Sequence, residues 1–128
     1  MAFRIPVFLP LLILAGSLHA APKTIRIPLI SDARSGSPSL WHYTTDDPGS
    51  GWADSNFNDG AWALGAGGFG MGTVENSRIT TPWTTGRIWL RAAFTLPDVP
   101  VQSLIMSLHH DDDLQVFLNG EPVFEELS

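Results

Sequence analysis

The chain has no cysteine in its 128 residues. No disulfide can staple it, so its order must come from packing, backbone pairing or a bound ion. Positive charge is also scarce, with seven Lys+Arg against thirteen Asp+Glu and a formal net charge of −6. A surface of that sign repels phosphate backbones and anionic lipid, which argues against nucleic acid or a membrane surface as a partner. Helical periodicity is missing too. After residue 20 no stretch repeats apolar residues at i, i+3 and i+4 for long enough to build an amphipathic helix, so the fold class reads as all-β. Long apolar runs are absent except at the start.

That run covers residues 5–18, follows Arg4 and ends at Leu18-His19-Ala20. A positive n-region, an apolar h-region and a small residue at the cut make a secretory signal peptide, so residues 1–20 are expected to be cleaved between Ala20 and Ala21. A spanning helix would need about 20 apolar residues, and this shorter run is broken by Pro6 and Pro10. The mature domain, residues 21–128, is expected to be secreted or periplasmic and to leave the membrane after cleavage.

Aromatic residues are what the chain does have: five Trp and seven Phe, many of them among glycines and prolines. Residues 24–30 alternate and read as a first strand, with Pro28 placing it at a sheet edge. Leu40-Trp41-His42-Tyr43-Thr44-Thr45 reads as a second. Residues 46–72 hold no period but carry Trp52, Phe57, Trp62 and Phe69, so they read as a long ordered loop pinned by its rings rather than a polar linker. The glycines at 65, 67, 68, 70 and 72 are followed by no Lys-Ser/Thr and open no helix, which removes the phosphate-loop reading.

Residues 87–96 form the clearest strand, with Ile88, Leu90, Ala92, Phe94 and Leu96 on the core face and Arg87, Trp89, Arg91, Ala93 and Thr95 on the other. Leu104, Met106 and Leu108 give the inward face of the next strand. The stretch His109 to Gly120 then combines an acidic turn, the strand 114–118 and Asn119-Gly120, the strongest short-range signal for a two-residue hairpin. This register opposes Leu118 to Glu121, Phe117 to Pro122 and Val116 to Val123. Pro122 cannot donate to a ladder, so its strand requires an edge or a bulge. About six strands are readable where a jelly roll uses about eight, so the sandwich is expected to be incomplete at its C-terminus.

Trp41-x-Tyr43, Gly51-Trp52, Phe57-Asn58-Asp59-Gly60-Ala61-Trp62, Gly67-Gly68-Phe69-Gly70, Thr80-Thr81-x-Trp83, Ile88-Trp89-Leu90-Arg91-x-x-Phe94 and the His109 to Gly120 segment together resemble the galactose-binding-domain-like jelly rolls. In style they are similar to the sugar-binding domain of family 2 glycoside hydrolases and to accessory modules of secreted bacterial hydrolases. The resemblance implies an antiparallel β-sandwich over residues 21–128 that is non-catalytic and binds or positions carbohydrate for an attached catalytic domain. It also implies an occasional structural calcium ion and no required cofactor. The alternative is a structural or protein-interaction sandwich that packs against a neighbouring domain and binds no sugar.

Sugar binding requires a ring to stack on the apolar sugar face and planar polar groups to take its hydroxyls. Trp52, Asp54, Asn56, Trp83 and Arg87 are the candidates, while Trp62 and Trp89 read as packing residues. Asp111, Asp112 and Asp113 could supply hard oxygen ligands to calcium, although they lack the spacing of an EF-hand loop and can equally satisfy backbone N–H groups in a turn. His109 and His110 are adjacent, so on a strand they face opposite ways, and His110 reads as a hydrogen-bonded strand-end residue. Glycoside hydrolysis could draw on Asp59, Glu75 and the 111–113 cluster, but no motif places two carboxyls across a cleft, so no catalytic residue is assigned.

Overall fold

A computed structural model describes residues 24–73, 75 and 78–127. The expected signal peptide and its cleavage site lie outside the described residues. Seven strands and no helix are present among those described: β1 (Leu40–Thr44), β2 (Ala63–Ala66), β3 (Phe69–Gly70), β4 (Thr81–Pro82), β5 (Trp89–Arg91), β6 (Leu114–Leu118) and β7 (Glu121–Glu126). The described part of the chain is all-β, as its missing helical period requires.

β1 is the centre of a three-stranded antiparallel sheet ordered β2-β1-β5. Its alternation Trp41, His42, Tyr43, Thr44 sends side chains to both faces in turn. The register sets Tyr43 opposite Leu90, and His42 opposite Arg91. One face therefore carries Trp41, Tyr43 and Leu90, and the other His42, Thr44, Trp89 and Arg91.

The first face is covered by the glycine-rich segment. The Tyr43 and Phe69 rings meet at 5.3 Å between centroids, and β3 pairs in parallel with β4 for two residues, Phe69 with Thr81 and Gly70 with Pro82. Residues 63–70 are thus strand as well as loop, contrary to the expectation of an unbroken loop from 46 to 72. The glycines permit this by close approach. A Cβ on Gly65 would lie 2.8 Å from both Thr81 Cγ2 and Thr81 Oγ1, and Thr81, only 8% exposed, is the most enclosed polar residue described. Its hydroxyl donates to the Ala66 carbonyl at 2.8 Å, so burial costs it no hydrogen bond. The Thr80 hydroxyl sits in the same nest of carbonyls, facing Ala66, Gly67 and Gly68.

β6 and β7 form the expected hairpin. Asn119 and Gly120 have φ of 52° and 87°, the paired positive values of a type I′ turn. Leu118 opposes Glu121 and Phe117 opposes Pro122, as the sequence requires, but Val116 then opposes Phe124 rather than Val123. The extra residue is a bulge directly after Pro122, so the proline that cannot bond is followed by the residue that breaks register.

Two expected strands do not form. Residues 24–30 and 101–108 lie outside any ladder. Alternation prepares a segment for a sheet, while pairing needs a neighbour in register, and here the two only run beside each other. Ile25, Ile27 and Leu29 line a shallow cleft with Leu96, Val101 and Leu104, and Pro28 and Ile30 line another with Ile105 and Ser107. Leu104, Met106 and Leu108 are exposed rather than inward, and so are Phe94 and Leu96 on the expected core face of residues 87–96. That strand keeps only three residues, Trp89–Arg91. No hydrophobic residue is fully buried among the described residues; the sheets are half-covered layers.

Candidate functional site

The second face of the central sheet positions the polar chemistry. Loop 46–62 folds over it through consecutive turns, with backbone bonds from Asp54 N to Gly51 O, Phe57 N to Asp54 O and Trp62 N to Asp59 O. Asp47 and Asn58 accept from the N–H two residues on, at 2.9 and 3.1 Å, the local bonding that suits Asp and Asn to turns. Phe57 and Trp62 pack edge to face at 5.6 Å inside this loop.

Arg91 fastens the loop to the sheet. Its Nε donates to Asp59 Oδ2 at 2.8 Å, with the two side chains 16% and 27% exposed. Its Nη1 donates to the Trp52 carbonyl, and its guanidinium lies over the Phe57 ring at 5.3 Å. His42, directly across the ladder from Arg91, donates from Nδ1 to the Asp59 carbonyl at 2.9 Å; the oxygen can only accept, which fixes the proton on that nitrogen. Asp59 is therefore held by two strands at once. A carboxylate so engaged is a structural anchor and is poorly placed to act as a free acid or base.

The five carbohydrate candidates fall into two places. Trp52 and Asp54 sit where the loop meets the β6–β7 hairpin: the Trp52 ring meets Phe117 at 5.5 Å in a T-shape, and Asp54 Oδ1 lies 3.1 Å from where a Cβ on Gly120 would stand. Asn56 is exposed on the same loop. Trp83 and Arg87 share the turn between β4 and β5. Among the described residues no hydrogen bond, ion pair or ring contact joins the two groups. Trp52 is a packing residue in this arrangement, its ring engaged by the hairpin.

The Trp83 turn is closed by three bonds. Trp83 Nε1 donates to Thr85 Oγ1 at 2.9 Å and to the Arg87 carbonyl at 3.2 Å, and Thr85 Oγ1 donates to the same carbonyl at 2.9 Å. Its base is anchored by Trp83 N bonding to Gly70 O at 2.9 Å. Trp83 is half-exposed and Arg87 exposed. The indole cannot swing away without breaking this triangle, so the ring and the Arg87 backbone stand in a fixed relation.

Asp111, Asp112 and Asp113 lie exposed on the bend before β6. The Asp112 carbonyl accepts from His110 Nδ1 at 2.9 Å, while His110 Nε2 lies 3.5 Å from Glu126 Oε2 and its ring meets Phe124 edge to face at 6.4 Å. His110 thus closes the open end of the hairpin, the strand-end role its position suggests. Among the described residues no three His, Asp or Glu side chains group so as to hold a metal ion.

Sequence reasoning did not find the Arg91–Asp59–His42 anchor or the part played by Thr85. The available signal for the first was an arginine on the non-core face of a strand, opposite a histidine. For the second it was a Trp-x-Thr-x-Arg spacing that lets an indole fold back on its own turn. No family model matches the chain, and no curated protein or solved structure matches it either.

Proposed function

We propose that the chain is a non-catalytic, exported module, a β-sandwich of jelly-roll type similar to galactose-binding domains, that binds or positions carbohydrate for a polysaccharide-acting hydrolase. The observation that carries this reading is the Trp83 turn, where an indole is locked by two hydrogen bonds on an exposed loop beside Arg87. Sugar recognition stacks a pyranose on an aromatic face and takes its hydroxyls with a few placed polar groups. A ring already immobilised loses little freedom on binding, which is how preorganisation raises affinity. Binding is favoured over hydrolysis because Asp59, the best-enclosed of the carboxylates considered for catalysis, is committed to Arg91 and His42.

Titration of the purified chain with a panel of oligosaccharides, followed by calorimetry, tests the reading. A saturable heat with one class, lost in Trp83→Ala, supports it; no heat with any saccharide removes it. A second reading, a structural module that packs against a neighbouring domain and binds no sugar, is favoured by the exposed apolar run 99–108, which carries no charged residue. Contiguous exposed apolar surface on a soluble protein marks an interaction site or an aggregation hazard. On that reading Leu104→Glu abolishes association with the neighbour and leaves saccharide titrations flat, as they are for the wild-type chain.

A further inference from the structure

We propose that the Trp83 turn selects an anionic sugar, a pyranose bearing a carboxylate, over a neutral one; this rests on reading the turn as a sugar platform. The charge pattern points there first. Residues 76–97 hold three arginines, at 78, 87 and 91, and no acidic residue, in a chain with thirteen. Of these three, Arg91 is committed to Asp59. Arg87 is exposed and no ion pair joins it to a carboxylate among the described residues.

The hydrogen-bonding inventory of the turn points the same way. A neutral sugar hydroxyl both donates and accepts, so a neutral ring is best held by sites offering both. The Arg87 carbonyl, the acceptor at the heart of the turn, already receives bonds from Trp83 Nε1 and Thr85 Oγ1. The Thr85 hydroxyl accepts from Trp83 and donates to Arg87, so it too is occupied. What the turn turns outward is mainly donor: the Arg87 guanidinium has five N–H groups, no acceptor, and a planar fork that matches a carboxylate with two parallel bonds. Among the other side chains of the turn, the exposed Thr84 hydroxyl adds a group able to accept.

The acidic balance of the whole chain does not reverse this. Beyond about 8 Å at physiological ionic strength, exposed charges are largely screened. A guanidinium in contact with the ligand therefore outweighs carboxylates farther off.

Calorimetric titration of the full chain with an oligogalacturonate, its methyl ester, a neutral cello-oligosaccharide of equal length and a sulfated oligosaccharide tests the proposal. The expected result is that the uronate binds about tenfold or more tightly than its ester, the range of one charge-assisted hydrogen bond, and weakens as salt is raised while the ester does not. Arg87→Ala should bring acid and ester to the same Kd, Arg87→Lys should keep part of the difference, and Trp83→Ala should abolish both. Equal binding of acid and ester by the wild-type chain overturns the proposal and leaves the sugar platform standing. Tighter, Arg87-dependent binding of the sulfated chain overturns the carboxylate assignment. Absence of binding to every saccharide removes the platform and the proposal with it.

Discussion

Replacing Arg91 by methionine would keep most of the side chain's apolar bulk and delete the guanidinium that, together with His42, fastens loop 46–62 to the central sheet. Three interactions go at once: the 2.8 Å bond to Asp59, the bond to the Trp52 carbonyl and the contact over Phe57 at 5.3 Å. A hydrogen bond to a charged group contributes roughly 1.5–3 kcal/mol and an exposed cation–π contact about 0.5–1 kcal/mol. Partial exposure screens the pair, so its loss lies between the 0–1 kcal/mol of surface bridges and the roughly 3–5 kcal/mol of breaking a buried one. We expect Arg91→Met to cost about 2–3 kcal/mol, Asp59→Asn about 1 kcal/mol, and the pair to couple by about 1–2 kcal/mol in a double-mutant cycle. With a urea slope of about 1 kcal/mol/M for a chain of this size, Arg91→Met lowers the unfolding midpoint by roughly 2–3 M. Limited proteolysis should also cut between 46 and 62 sooner in the variant. A coupling energy below about 0.3 kcal/mol, within the scatter of independent sites, would refute the anchor.

Three further outcomes are expected. Gly65→Ala should destabilise by about 1–3 kcal/mol, because its Cβ would stand 2.8 Å from Thr81. Gly86→Ala, which meets nothing within 4 Å and has no positive φ, should change the midpoint little, and parity between the two would contradict the close approach. Gly120→Ala should cost roughly 1–2 kcal/mol for an L-residue at φ 87°, while Asn119→Gly should be tolerated; equilibrium unfolding of both checks the I′ turn. Finally, Trp52→Ala and Phe117→Ala should be non-additive by about 0.5–1.5 kcal/mol, the value of an edge-to-face pair, and additivity would mean that the hairpin does not dock through these rings.

The hairpin was legible because its determinants are local. Asn119-Gly120 dictates two positive φ values, and Pro122 announces a bulge without saying which residue takes it. β1 and the start of β5 were legible from alternation, down to Leu90 facing one way and Arg91 the other. The same alternation over-read residues 24–30 and 101–108, since a pattern of side chains states which face is apolar but not whether another backbone lies in register beside it. β2 and β3 were missed for the opposite reason: glycine has no side chain to alternate, and the strands form because Thr81 and Phe69 approach too closely for anything larger. Of the site, Trp83 and Arg87 were found as residue types suited to stacking and charge, while the Asp59–Arg91 bond, spanning 32 residues, left no local trace. Trp52 stands among the sugar-stacking candidates because nothing near it in sequence announces its contact with Phe117.

The two ladders also differ in how far the chain must travel to close them. The β6–β7 turn joins neighbours, and a hairpin of that kind forms in about 1–10 μs. β1 and β5 pair His42 with Arg91 across a long excursion, whose closure entropy must be met before any contact repays it. The hairpin therefore stands early as a separate unit and waits, with Phe117 uncovered, for loop 46–62 to be fastened. Pulse-labelled amide exchange during refolding should show β6 and β7 protected first and the β1 amides last, so that the ring pair between Trp52 and Phe117 is the closing event that joins two independently timed halves of the molecule.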